Sequence, residues 1–261
     1  MKLCRFVLNA DPETVRSGIY HDGRYYETDG QNAVGIHDPG SIRILAPVGT
    51  PPAVRLFEHF RGPDGTDRLT YSFSHPGRIV GPTTEIDTTS ADQGLDFEVR
   101  VGALVQEGDP SLGPSEASRM MLGVGILVVL FNADEREILS SAGASLAPAA
   151  DLATVYGPFL VTPDELTDNR TTDEPTEFTW PVKVMVSGET VYQTVAVPEF
   201  SLFDMVSIAA RKKPVLPGEM LAWPAFDKPA LENTSLGRFL MASDKVSVEI
   251  EPLGTLTFRI I

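Results

Sequence analysis

Several residue types are scarce in this chain of 261 residues, which contains one cysteine and four histidines. A single thiol, Cys4, excludes an internal disulfide and a zinc site built from several thiolates, and it is typical of a reducing compartment. Cations are also few, because 21 Lys+Arg stand against 36 Asp+Glu and give a formal net charge of −15. A surface of that sign repels phosphates, so we expect no nucleic-acid partner and no membrane partner.

Long hydrophobic runs and common catalytic motifs are also missing. The longest apolar run, residues 120–131, is too short for a membrane-spanning helix of about 20 residues. Because no cationic leader precedes it, we expect a cytoplasmic protein. The sequence lacks the P-loop, zinc-protease and nucleophile-elbow motifs, and the histidines show no metal-ligand spacing.

The chain contains 22 glycines and 21 prolines, which separate short runs of β-branched and aromatic residues. This pattern predicts a mostly β protein of the α+β type, with many short strands joined by turns. Helices are predicted only at Ser115–Leu122 and at Ser201–Arg211. The stretch Pro47–Pro52 (PVGTPP) reads as a linker, which predicts a small N-terminal domain over residues 1–48 and a core domain over 49–261.

Collinear segments after this linker resemble one known family. They are PPAVRLFEHF (51–60), TYSFSHPGRIVGP (70–82), GLDFEVRVGALV (94–105), ATVYGPFLVTPDEL (153–166), PGEM (217–220) and VSVEIEPLGTLTFRII (246–261). In this order they are similar to segments of the fumarylacetoacetate hydrolase family. The resemblance covers residues 50–261, and the segment at 153–166 is its most specific part.

The resemblance implies a mixed, twisted β-fold core with a small N-terminal domain, usually assembled as a homodimer. It also implies a divalent ion, held by carboxylates, that chelates adjacent oxygens of a dicarbonyl, enol or keto-acid substrate. Hard cations of this kind require oxygen ligands.

Most positions that carry this chemistry in the family are changed here. The family's first ligand pair keeps one carboxylate at Glu98, whereas Arg100 stands in place of the second. Other family ligand, base and binding-loop positions are occupied by Leu56, Pro63, Phe131, Ala150 and Ala225, while Asp151 keeps its acid.

The surviving pair decides what we expect of a metal. Glu98 and Arg100 are two residues apart in a predicted strand, so both side chains point to one face. A guanidinium about 4 Å from a cation costs on the order of 4 kcal/mol per unit charge at an effective dielectric of about 20. We therefore predict that the metal site does not form and that no cofactor is needed.

Two alternatives remain open at this point. A register shift could bring Asp134 and Glu135, or Glu58 and His59, to the positions of the lost ligands, although it would turn every side chain of a strand to the opposite face. Glu98 and Arg100 could also simply neutralise each other as a partly buried ion pair.

The resemblance also indicates which residues surround the site. Leu56, Phe131 and Trp223 would line it and make it apolar. Tyr156 and His75, beside the matched segments, are weaker candidates for which a structural role is more common. We predict Leu56, His59, Phe131, Tyr156 and Trp223 as substrate-binding residues, with Arg100 stabilising an oxyanion and Glu98 moving a proton.

The leading hypothesis is a metal-independent enzyme acting on a small 1,3-dicarbonyl, enol or polyketide-like compound. The reaction would be a cyclisation, an isomerisation, or a lyase or decarboxylation step. The alternative is a non-catalytic relative that binds a ligand or a partner subunit. An open pocket containing Glu98 and Arg100 favours the enzyme, and a collapsed pocket with the two side chains paired favours the alternative.

Overall fold

The computed structural model describes residues 1–87, 94–106, 119–169, 178–211 and 213–261. The first strands are β1 (Lys2–Leu8), β2 (Asp11–His21), β3 (Arg24–Thr28), β4 (Ala33–His37) and β5 (Ile42–Leu45). The middle elements are β6 (Val54–Arg61), β7 (Asp67–Ser74), β8 (Ile79–Val80), β9 (Glu85–Ile86), β10 (Leu95–Val105), β11 (Met121–Asn132), α1 (Ala133–Ser141) and β12 (Thr154–Val161). The last are β13 (Trp180–Val186), β14 (Glu189–Ala196), α2 (Leu202–Ala209), β15 (Met220–Ala222), β16 (Lys245–Ile250) and β17 (Gly254–Ile260).

Two mixed sheets make up the described part of the molecule. The larger sheet has 12 strands, in the order β4-β3-β2-β1-β12-β11-β10-β15-β6-β7, with β5 paired to β1 and β8 paired to β12. The smaller sheet has five strands, in the order β14-β13-β16-β17-β9. Most pairs are antiparallel, whereas β15 with β6, β8 with β12 and β9 with β17 are parallel. The predicted mostly β, mixed architecture is confirmed.

The N-terminal strands continue the larger sheet. β1 pairs with β12 through Lys2 and Val161 and through Leu3 and Leu160. The predicted boundary between residues 48 and 49 lies between β5 and β6, in a segment without strands. The division into two domains stays a prediction, since β1 to β5 are hydrogen-bonded to the core sheet rather than forming a sheet of their own.

The main core lies between the two sheets. Val99 and Val101 of β10 belong to the same buried cluster as Val248 and Leu256 of the smaller sheet. β10 and β11 lie between other strands and are buried on both faces for most of their length, which explains their nearly continuous apolar sequence. Strand alternation then turns the residues between these valines to the opposite face of the larger sheet.

The predicted helices have different outcomes. Ser201 caps α2, where its hydroxyl accepts a hydrogen bond from the Asp204 amide, so the helix predicted at Ser201–Arg211 lies where expected. The helix predicted at Ser115–Leu122 is wrong at its end, because Met121 and Leu122 open strand β11, and residues 115–118 lie outside the described residues. Among the described residues, no helix has the length and apolar content to cross a bilayer.

Candidate active site

Three charged side chains of β10 share one face of the larger sheet. Asp96, Glu98 and Arg100 alternate with Val99 and Val101, which face the core. The charged face is where the resemblance implied a metal site. The sequence of β10 therefore brings two carboxylates and one guanidinium onto one strand at this site.

Arg100 lies at the centre of this cluster and only 1% of its side chain is exposed. Its Nε donates to Glu98 Oε2 at 2.8 Å. Its Nη1 donates to the carbonyl oxygens of Phe57 at 2.6 Å and Trp223 at 3.2 Å. Its Nη2 donates to the carboxylates of Glu98 and Glu58. These five contacts account for the five N–H groups of a guanidinium, so Arg100 has no donor left for a ligand.

Glu98 is 10% exposed and both of its carboxylate oxygens are in use. Oε2 accepts from Arg100, and Oε1 accepts from Nη2 of Arg136. Burial by itself raises the pKa of Glu98, but the two guanidiniums outweigh burial and hold the pKa below its ordinary value. Glu98 is thus an ionised carboxylate held in place by two cations.

Glu58 of β6 has the opposite character. It shares Arg100 with Glu98, yet 44% of its side chain is exposed. Desolvation raises the pKa of Glu58, and the negative charge of Glu98 adds to this effect, while Arg100 and Arg136 oppose it without cancelling it. The two neighbouring carboxylates thus have pKa values displaced in opposite directions. Such a pair suits two separate tasks, because the acid with the lowered pKa stays charged while the acid with the raised pKa can exchange a proton.

Arg136 enters the site from helix α1. The helix begins directly after β11, with Asn132 as its N-cap accepting a hydrogen bond from the Glu135 amide at 2.9 Å. The Arg136 guanidinium lies 4.3 Å from the centre of the Phe131 ring and reaches Glu98. Arg136 lines the cleft with 30% of its side chain exposed, and among the described residues the contact with Glu98 uses one of its five N–H groups.

These groups line an open cleft with three adjoining lobes. The Tyr71 lobe, about 800 Å³, is lined by Leu56, Glu58, Tyr71, Glu98, Arg100 and Arg136 among others. The Trp223 lobe, about 610 Å³, includes Glu58, His59, Glu199, Trp223, Phe226 and Lys228. The Phe131 lobe, about 490 Å³, includes Glu58, Glu98, Phe131, Arg136, Phe226 and Lys228. Glu58 lines all three lobes.

The predicted substrate-binding residues are only partly brought together. Leu56, Phe131 and Trp223 each line a lobe, although the Trp223 indole N–H is already donated to the Phe200 carbonyl at 2.8 Å. His59 lines the Trp223 lobe, where its ring nitrogens lie 3.2 Å from Asp67 and 3.2 Å from Glu199.

Tyr156 lies away from the residues that line the three lobes. Its side chain is fully buried, and its hydroxyl donates to the Gly102 carbonyl at 3.0 Å. It packs in a second buried cluster with Leu56 and Val129, behind the surface of the cleft. This position does not favour the substrate-binding role predicted for Tyr156.

The residues present do not fit a hard divalent cation. The carboxylate oxygens of Glu98 are bound by guanidiniums, and Leu56 and Phe131 offer no oxygen donors. Within the described ranges, no group of three or more His, Cys, Asp or Glu side chains has the arrangement of a metal site. Leu56, Arg100 and Phe131 replace three oxygen ligands of the family, and Arg100 and Arg136 add two positive charges to the cluster. The charge of a bound cation would therefore be uncompensated.

Sequence reasoning missed three residues of this site. Glu58 entered only through a possible register shift, yet it reaches the site in the expected register, two residues after Leu56 on the same face of β6. Arg136 follows four residues after the helix-capping Asn132. Lys228 pairs with Asp96, and only the strand position of Asp96 beside Glu98 could have signalled that pair.

The comparisons with known proteins agree with this fold. The family profile described as Fumarylacetoacetate (FAA) hydrolase C-terminal matches residues 60–261. The chain therefore belongs to the fumarylacetoacetate hydrolase family, as the sequence segments indicated. No curated protein matches the chain by sequence.

Solved structures resemble the whole chain at low sequence identity. A 2-hydroxyhepta-2,4-diene-1,7-dioate isomerase from Mycobacterium marinum is 18% identical with a TM-score of 0.76, covering 100% of this chain and 98% of that chain. Fumarylacetoacetate hydrolase from Exiguobacterium antarcticum is also 18% identical, with a TM-score of 0.76 over 100% of this chain and 99% of that chain. Maleylpyruvate hydrolase from Sphingobium sp. SYK-6, in complex with manganese and pyruvate, is 12% identical, with a TM-score of 0.72 over 100% of this chain and 99% of that chain. At these identities the likeness establishes the fold.

Proposed function

We propose that this protein catalyses metal-independent proton transfer on a 1,3-dicarbonyl or enol compound. Removing a proton from the carbon between two carbonyls is the first step shared by isomerisation, cyclisation and many lyase reactions of such compounds. The observation that carries the proposal is the position of Glu58, half exposed at the junction of all three lobes, beside a second carboxylate whose oxygens are both engaged.

Glu58 is the proton-transfer residue in this mechanism. Its ionised carboxylate takes the proton from the substrate carbon, so that the C–H bond breaks, an O–H bond forms, and the electron pair moves to the carbonyl oxygen as an enolate. The raised pKa of Glu58 makes it a stronger base than an ordinary glutamate. The neutral acid then returns the proton to another position of the substrate.

Arg136 takes the role that we had predicted for Arg100. The Arg100 donors are used by Glu98, Glu58 and two backbone carbonyls, whereas Arg136 lines the cleft and, among the described residues, uses one of its five N–H groups. An N–H group of Arg136 donates to the developing enolate oxygen, which replaces the charge stabilisation that a metal would supply. Arg100 is a positioning residue, since it fixes the Glu58 and Glu98 carboxylates.

The test is deuterium uptake from heavy water into pentane-2,4-dione and 2,4-dioxopentanoate, followed by proton NMR. We expect Glu58→Gln to lower the catalysed rate by about 10²- to 10⁴-fold, because the amide cannot accept the proton. The exposed Glu13→Gln is the matched control and keeps the wild-type rate. A chelator leaves the rate unchanged.

The pH dependence gives a second measurement on the same reaction. Because the base acts when ionised and the pKa of Glu58 is raised, kcat/KM rises with pH through a midpoint above that of an ordinary glutamate. Loss of activity with chelator, or full activity in Glu58→Gln, contradicts the proposal.

One observation favours the non-catalytic alternative. Arg100 is fully paired with Glu98 and other acceptors, as expected of a structural ion cluster, although the cleft around it is open. This alternative gains support if the wild-type protein binds dicarbonyl compounds tightly but exchanges no proton at any pH.

A further inference from the structure

The pair formed by Asp96 and Lys228 is a second charged feature of the cleft that the proposed reaction does not use. Lys228 Nζ lies 3.1 Å from Asp96 Oδ1 and donates to the Pro229 carbonyl at 2.8 Å. Only 3% of the Lys228 side chain and 1% of the Asp96 side chain are exposed. Lysine is almost never fully buried unless its charge is paired, and this buried pair lies at the wall of the cleft, where Lys228 lines the Trp223 and Phe131 lobes.

Asp96 is fixed by the backbone as well as by the lysine. Its Oδ1 accepts from the Phe97 amide at 2.7 Å, and its Oδ2 accepts from the Leu231 amide at 2.9 Å. These bonds hold the start of β10 against the segment that carries Lys228. The position of the amine is therefore determined by the fold and not by the flexible lysine stem.

The Lys228 amine has one N–H left over. An ammonium has three donors, and the contacts among the described residues use two of them, to Asp96 and Pro229. The amine also lies 4.8 Å from the centre of the Phe97 ring. Desolvation lowers the pKa of Lys228 more than Asp96 raises it, so an additional anionic oxygen would stabilise the charged amine.

The two cations line different pairs of lobes, and Glu58 lines all three. Arg136 lines the Tyr71 and Phe131 lobes, whereas Lys228 lines the Phe131 and Trp223 lobes. A compound whose reacting carbon contacts Glu58 can thus present one oxygen to Arg136 and a second oxygen group to Lys228.

We propose that Lys228 is a specificity-determining residue that binds a carboxylate at one end of the substrate through its remaining N–H group. The preferred substrates are then dicarbonyl or enol compounds that carry an acid group beyond the reacting carbon, and not neutral diketones. This inference rests on the proposed function for the location of the reacting carbon, but its test depends on binding alone.

The test is isothermal titration calorimetry with two probes that differ only in the acid group, 2,4-dioxopentanoate and pentane-2,4-dione. Titrations use the Glu58→Gln chain, in which binding is measured without turnover. We expect Lys228→Gln to weaken binding of the acid at least tenfold and to leave binding of the dione within about twofold. Lys245→Gln, an exposed lysine of β16, is the charge-matched control and changes neither affinity.

Lys228→Gln keeps a donor for Asp96, and Lys228→Arg keeps the charge, so the preference for the acid is expected to survive only in the arginine variant. Equal weakening of both probes, no weakening of either, or no binding of the acid to the folded Glu58→Gln chain overturns the inference. If the acid preference depends on Lys228 while the wild-type chain, with Glu58 intact, exchanges no proton, the specificity role stands and the proposed reaction fails.

Discussion

The identity of residue 100 determines the character of this site. A carboxylate at that position would leave two acids side by side on β10, whereas Arg100 forms ion pairs with both Glu98 and Glu58. Because every N–H of Arg100 has an acceptor, the guanidinium is part of the structure that supports the cleft. Its removal takes one of two cations from the buried Glu98 carboxylate and a donor from the carbonyl oxygens of Phe57 and Trp223.

This gives a prediction for the Arg100→Met variant. We expect its free energy of unfolding to fall by about 3–5 kcal/mol, because the buried Glu98 carboxylate keeps Arg136 but loses the guanidinium that contacts its Oε2. Urea unfolding followed by tryptophan fluorescence measures the loss, with the exposed Arg43→Met as control. The double variant Glu98→Gln, Arg100→Met should lose less than the sum of the single variants, since residue 98 then carries no charge that needs the Arg100 guanidinium. An additive loss would argue against the ion cluster.

At the scale of elements, the site depends on how β11 continues into α1. Asn132 ends the strand and caps the helix, so Arg136 is directed to Glu98 by the first turn of α1. None of the α1 residues is buried. The helix therefore has little packing to stabilise it, and its cap and its contact with Glu98 matter more than they would in a core helix.

Asn132→Ala tests this dependence. Loss of the cap should lower the free energy of unfolding by about 1 kcal/mol. It should also raise KM for the dicarbonyl probes, because Arg136 is held less firmly. Asn132→Asp, whose carboxylate can cap the helix, is expected to restore both values. A lower stability with an unchanged KM would show that the helix cap does not position Arg136 for substrate binding.

At the scale of the whole molecule, Asp244 ties the segment before β16 to the smaller sheet. Its oxygens accept from Arg238 at 2.7 and 2.9 Å, from the Ser187 hydroxyl at 2.8 Å and from the Met241 amide at 3.0 Å. The hydrogen bonds with Arg238, followed by those with Met241 and Ser187, lower the pKa of Asp244 against the effect of burial. Asp244 therefore stabilises the fold in its ionised form.

The sign of the pH dependence follows from this lowered pKa. The contribution of Asp244 is fully present above the ordinary aspartate pKa of about 3.9, and it is lost as pH falls from there through the lower folded-state value. We expect Asp244→Asn to lower the free energy of unfolding at pH 7 by about 1–3 kcal/mol. The gap between wild type and variant, measured by urea midpoints, should narrow towards pH 2. A stability difference that stays constant with pH would contradict a stabilising role for ionised Asp244. Glu13→Gln, at an exposed position, is the control.

The homodimer implied by the family resemblance also belongs to this scale and stays a prediction. Size-exclusion chromatography with light scattering would give the molar mass in solution. A monomer of 28.3 kDa would contradict the expectation.

Local sequence patterns predicted many elements correctly, and the exceptions have physical reasons. The predicted mostly β pattern is seen in strand β16 (Lys245–Ile250), whose residues alternate between a buried and a less buried face. Helix α1 was missed because none of its residues is buried, so no apolar period marks it; Ile138, for instance, is 68% exposed. Arg136 was missed together with that helix.

The sequence by itself determined the family, the mixed β-fold and the replacement of oxygen ligands by Leu56, Arg100 and Phe131, since these depend on residue type and order along the chain. Only the tertiary structure decided which carboxylate is exposed to the cleft and is therefore the one we propose for proton transfer. Glu58 and Glu98 are the same residue type, and their pKa values separate because β6, β10 and α1 bring different cations and different solvent exposure to each. Hydrogen bonding and desolvation come from neighbours that are distant in sequence, which is why the roles of these two acids required the folded chain.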